Sequence, residues 1–172
     1  MTATPEPAPK KGPRVHGAGL TPYGMFLLAE SYHQAAEILH GSKQFLNSDN
    51  PKRLLFYHAI EGYLRAFLRM NGREAEEIRS YMHDFARMYE DCETAGLVLR
   101  RKTAAFLRET GGDNDYVRVR YELHLTVPQE RGEPGNPGKD LGRLISAAKE
   151  LRDKVGQENE QQLMRKKGGQ QV

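Results

Sequence analysis

Apolar side chains recur at helical spacing from about Pro22 to about Thr110. Met25, Leu28, Ala29, Tyr32, Ala35, Ala36 and Leu39 return at three- and four-residue steps, with Glu30, His33, Glu37 and His40 on another face. Thr21-Pro22 starts this helix with a hydroxyl cap and a proline at the first helical position, and Gly41 stops it. Asn50-Pro51 repeats the start signal for a second helix that runs to about Asn71-Gly72. Its apolar arc is unusually wide, with Leu55, Phe56, Ala59, Ile60, Tyr63, Leu64, Phe67 and Leu68, and this marks it as the central helix. Arg73 to Arg79 form a separate helical turn. A third helix carries Phe85, Met88, Tyr89 and Cys92 between Asp84 and Gly96, and a fourth carries Leu99, Thr103, Phe106 and Leu107 as far as Gly111-Gly112. The short links favour antiparallel neighbours.

The period then changes. Val117, Val119, Tyr121, Leu123, Leu125 and Val127 alternate with Arg118, Arg120, Glu122, His124 and Thr126, which predicts an extended segment over about 116–127 with one buried face. A lone strand leaves backbone groups unpaired, so it either lies across the bundle or pairs with its copy in a second subunit. After a Gly- and Pro-rich loop, Leu141, Leu144, Ile145, Ala148, Leu151 and Val155 form the stripe of a last helix. The expected fold class is all-α, an antiparallel four- to five-helix bundle over residues 21–156. A basic, Pro-rich tail (1–20) precedes it and a polar tail (157–172), disordered or fraying, follows.

Composition adds limits. The chain has 172 residues, which suits one domain with a real core. No apolar run approaches the roughly 20 residues of a membrane span, and the N-terminus lacks the core of a signal peptide, so a soluble cytoplasmic protein without membrane contact is expected. A single cysteine excludes an internal disulfide. The net charge of +3 sits in the tails: Lys10, Lys11 and Arg14 against Glu6, and Arg165, Lys166 and Lys167 against Glu158 and Glu160. The body is therefore neutral, with only a local basic patch around Arg100, Arg101, Lys102, Arg118 and Arg120 to attract RNA or a nucleotide.

Candidate chemistry begins on the second helix. His58, Glu61 and Arg65 share one stripe at the edge of its apolar arc, either as a satisfied hydrogen-bonded set or as the lining of a cleft. His33, Glu37 and His40 share a face of the first helix, which reads as an exposed polar surface. No zinc signature, phosphate loop, dinucleotide fingerprint or serine nucleophile elbow occurs, so no metal or cofactor is expected. Cys92 lies among core residues. His83-Asp84 caps the third helix or, with Arg79, forms a site.

Tyr32-x-x-Ala35-Ala36, then Phe56-Tyr57-His58-Ala59-Ile60-Glu61-x-Tyr63-Leu64-Arg65-Ala66-Phe67-Leu68, then His83-Asp84-Phe85-x-x-x-Tyr89 followed by Ala95-Gly96-Leu97 resembles the HEPN family of small helical bundles. Arg120-Tyr121 also fits, and the similarity spans roughly Thr21 to Val155. The resemblance implies a bundle that often dimerises, in a family of RNA-cleaving toxins, defence nucleases and non-catalytic association modules, some working beside a nucleotidyltransferase. Its cleaving members place four to six residues between an arginine and a histidine, whereas only three separate Arg79 from His83 here. One residue fewer turns a helical side chain by about 100°. The expectation is thus a HEPN-like homodimeric association module. The alternatives are a metal-independent endoribonuclease using Arg79 as cation and His83 as proton acceptor, and an RNA- or nucleotide-binding module.

Overall fold

A computed structural model of the chain describes residues 19–42, 48–110, 115–121 and 137–168. Seven helices form among the described residues: α1 (Pro22–Gly41), α2 (Asn50–Met70), α3 (Ala75–Ser80), α4 (Phe85–Thr94), α5 (Arg101–Thr110), α6 (Asp115–Tyr121) and α7 (Pro137–Gly168). Caps set several of the ends. The Thr21 hydroxyl accepts from the Gly24 N–H at 3.0 Å, and the Asp84 carboxylate accepts from the Arg87 N–H at 3.0 Å. Gly72 and Gly96, both at positive φ, turn the chain out of α2 and α4.

α2 is the central element, with Phe56, Tyr57, Ile60, Tyr63, Leu64 and Leu68 fully buried and α1, α3, α4, α6 and α7 packed around it. Phe26 meets Tyr63, Ala29 meets Gly62, Tyr32 meets His58 and His33 meets Phe56, which is the antiparallel order for α1 on α2. The two backbones approach closely because Gly62 has no side chain. A Cβ built there lies 2.7 Å from the Ala29 Cβ. This crossing also fixes which side of α1 is core. Ala29, His33 and Ala36 are buried, while Leu28 is half-exposed and Ala35 lies at the surface. His33, expected on a polar face, is 2% exposed because small residues had to take the contact line and carried it inward with them.

The extended segment expected over about 116–127 is replaced by helix where it is described, over residues 115–121. Tyr116 and Val119, three apart, are buried, whereas Tyr121 is 81% exposed, which no strand burying 117, 119 and 121 on one face would allow. A helix also satisfies its own backbone without a partner strand. Residues 122–127 lie outside the described residues.

The tail expected to be unstructured from residue 157 continues α7 instead. Its Glu, Gln, Lys and Arg residues are good helix formers. Asn159 is buried, and the Gln162 amide donates to the Met70 carbonyl at 3.4 Å, so the extension is tied to the end of α2. Residues 1–18, in the expected basic tail, are outside the described residues. No helix among the described residues is long and apolar enough to cross a membrane.

Candidate functional site

α2 presents His58, Glu61 and Arg65 towards the turn between α3 and α4 and towards α6. Glu61 is buried and accepts at one oxygen, Oε1, from Arg65 Nη2 at 2.6 Å and from His83 Nδ1 at 3.0 Å. A carboxylate only accepts, so Nδ1 of His83 carries the proton and Nε2 is the basic nitrogen of the neutral ring. The His83 side chain is 40% exposed. Its placement depends on Met82, which sits at φ 55° in the left-handed region and whose carbonyl accepts from Arg65 Nη2 at 2.8 Å. Arg65 therefore holds both the carboxylate beneath His83 and the backbone immediately before it.

Tyr116 of α6 closes the cluster. Its ring centroid lies 4.6 Å from that of His83 and 5.5 Å from that of His58, and its hydroxyl shares a 3.2 Å hydrogen bond with His58 Nδ1. The Arg120 guanidinium rests 4.2 Å over the same ring. Burial holds the His58 pKa below its usual value despite the Glu61 charge, and Arg120 and His83 push it the same way. Burial, aided by the Glu61 charge, pushes the Tyr116 phenol up to about 12. At neutral pH the cluster thus holds a neutral imidazole, a protonated phenol and a carboxylate shared by an arginine and a second histidine.

On the α1 side, His58, Glu61 and Arg65 line a half-open cleft of about 250 Å³, the cleft-lining role expected for them as one alternative. Its opposite wall is apolar, made by Leu20, Met25, Leu28 and Tyr32, and the Tyr32 ring stacks on His58 at 4.9 Å and 23°.

The remaining candidates are placed apart. Arg79 is exposed at the end of α3, and no hydrogen bond or ion pair joins its side chain to His83 among the described residues. The arginines near His83 are Arg65 and Arg120. Asp84 caps α4, the structural role open to it. Arg100 is engaged through its backbone N–H (2.6 Å) and Nε (2.9 Å) by Glu150, while Arg101 and Lys102 are exposed at the start of α5. Glu150 also accepts from the Thr103 hydroxyl at 2.5 Å; burial opposes its charge, but these donors outweigh it and keep its pKa low.

A second polar network joins α1, α2 and α7. His33 Nδ1 lies 3.0 Å from the Tyr63 hydroxyl, which donates to Glu30 at 3.0 Å, and Arg152 grips Glu30 at 2.8 and 2.9 Å. This separates His33 from the exposed His40. No group of three or more His, Cys, Asp or Glu among the described residues is placed to hold a metal ion. Cys92 is fully buried, its thiol donating to the Leu64 carbonyl at 3.6 Å, and burial raises its pKa far above the range of a reactive thiolate.

Sequence reasoning missed Tyr116, Glu150 and the Glu30–Tyr63–Arg152 network. The i,i+3 pair Tyr116 and Val119 was the available signal for α6, masked by the stronger alternation around it. No family model matches the chain, and no curated protein or solved structure matches it significantly.

Proposed function

We propose that the chain is a HEPN-like helical association module that works as a homodimer, either alone or beside a partner protein such as a nucleotidyltransferase. The observation that carries this reading is an apolar row on the outer face of α1. Tyr23 and Leu27 are half-exposed and Ile38 is 75% exposed, all on one stripe with Ser31 and Gln34. The row is self-complementary in antiparallel order. Reflected about the midpoint between residues 30 and 31, Tyr23 faces Ile38 and Leu27 faces the side chain of Gln34, so a two-fold axis there packs the large end residues against each other. The row spans about 22 Å at the helical rise. A single helix pair buries less than the roughly 800 Å² per partner of a standard interface, so the dimer is reversible. Sedimentation across a concentration series should show dimer for the wild type, monomer for Ile38→Glu, and unchanged dimer for Val98→Glu, an equally exposed residue off the row. A strictly monomeric wild type, or a dimer untouched by Ile38→Glu, refutes the reading.

A second reading, metal-independent RNA cleavage, is favoured by one feature: half-exposed His83 has a carboxylate behind it and Arg120 on the neighbouring ring. In-line attack by a 2′-hydroxyl needs a proton acceptor and a cation near the developing phosphorane charge, roles suited to His83 Nε2 and Arg120. Cleavage in EDTA, lost in His83→Ala and in Arg120→Gln but kept in Arg79→Gln, supports it. Folded wild-type protein without activity removes it.

A further inference from the structure

We propose that the cleft between α1 and α2 binds a small, uncharged, planar molecule that carries a hydrogen-bond donor and acceptor on one edge: an aromatic amide or lactam. The cleft holds about 250 Å³, just under the range of drug-sized sites, which suits one or two rings. Leu20, Met25 and Leu28 form an apolar wall for a ring face, and the stacked Tyr32–His58 pair adds a flat aromatic surface.

The opposite end is polar and balanced in charge. Arg65 is a donor, Glu61 an acceptor, and each already compensates the other at 2.6 Å. His58, engaged at Nδ1 by Tyr116, keeps Nε2 for a ligand. An ion entering such a cleft would give up its hydration without meeting an uncompensated charge, whereas a neutral dipole can match donor and acceptor together.

The lining includes none of Tyr23, Leu27 and Ile38, so the site stands independently of the dimer. The test uses naphthamide and its isosteric anion naphthoate, titrated into Ile38→Glu protein and followed through the Met25 and Leu28 methyl signals by NMR. Naphthamide should give saturable shifts at both methyls, with naphthoate weaker by about tenfold or more. His58→Phe, which preserves a stacking ring, should weaken naphthamide about tenfold by removing one hydrogen bond of roughly 1.4 kcal/mol. Leu28→Lys, at a half-exposed position that tolerates it, should abolish the shift of the remaining Met25 methyl. Naphthoate binding as well as naphthamide, shifts confined to methyls elsewhere, or a Met25 shift that survives Leu28→Lys would each overturn the proposal. So would the absence of saturation.

Discussion

Replacing Gly62 by alanine sets two opposed effects against each other, and the geometry decides the sign. Alanine is favoured over glycine in a helix interior by about 1 kcal/mol. At Gly62 the new methyl would lie 2.7 Å from the Ala29 Cβ and 3.3 Å from its Cα. Carbon atoms rest at roughly 3.5–4.0 Å, so α1 and α2 must separate by about 1 Å. Neither neighbour is the end of a flexible side chain. Moving α1 also loosens the Phe26–Tyr63 and His33–Phe56 ring contacts, and overpacking of this kind costs about 1–3 kcal/mol. The expected net effect is a loss of about 1 kcal/mol, read as a lower urea midpoint by circular dichroism and a melting temperature reduced by roughly 2–6 °C. Gly142→Ala on α7 is the control, because nothing lies within 4 Å of a Cβ there, and it should stabilise by up to about 1 kcal/mol. Ala29→Gly combined with Gly62→Ala should show favourable coupling, since it removes the shorter contact. If Gly62→Ala stabilises as much as Gly142→Ala, the close crossing is wrong.

Two further outcomes follow from the buried polar groups. His33 and His58 both have pKa values held below 6.5, chiefly by burial, so the unfolded chain binds more protons as the pH falls below 6.5. Stability contributed by the neutral rings is complete above that value and declines below it, by at most about 1.4 kcal/mol per pH unit for each histidine. The low pKa values of Glu30 and Glu150 add a second decline below about 4.5, and a urea midpoint flat from neutral pH to pH 5 would contradict the histidine assignment. Glu150→Ala leaves the Arg100 N–H and the Thr103 hydroxyl without their acceptor and should cost about 2–3 kcal/mol in urea denaturation. Arg100→Ala should cost clearly less, because the Arg100 side chain is 70% exposed and its ion pair is screened by water.

The long amphipathic helices were readable along the chain because a one-sided apolar pattern leaves few alternatives. Thr21-Pro22, Asp84 and Gly96 mark ends that the structure keeps, and the wide apolar arc of α2 marks the helix that others surround. The stripe His58, Glu61 and Arg65 was legible too, since residues three and four apart on a helix must share a face. Local pattern could not say which way α1 turns, because that depends on a glycine on another helix: Gly62 admits Ala29, and His33 goes inward with it to meet Tyr63. Nor could it tell that residues 115–121 are helical, where alternation pointed to a strand and the burial of Tyr116 and Val119 against α2 chose otherwise. The partners of His83 came from tertiary structure alone. Sequence distance offered Arg79, but the fold delivers Glu61 and Arg65 from α2, and Tyr116 and Arg120 from α6. Periodicity fixes which residues share a surface of one helix; which surfaces meet is decided by close packing between helices far apart in the chain.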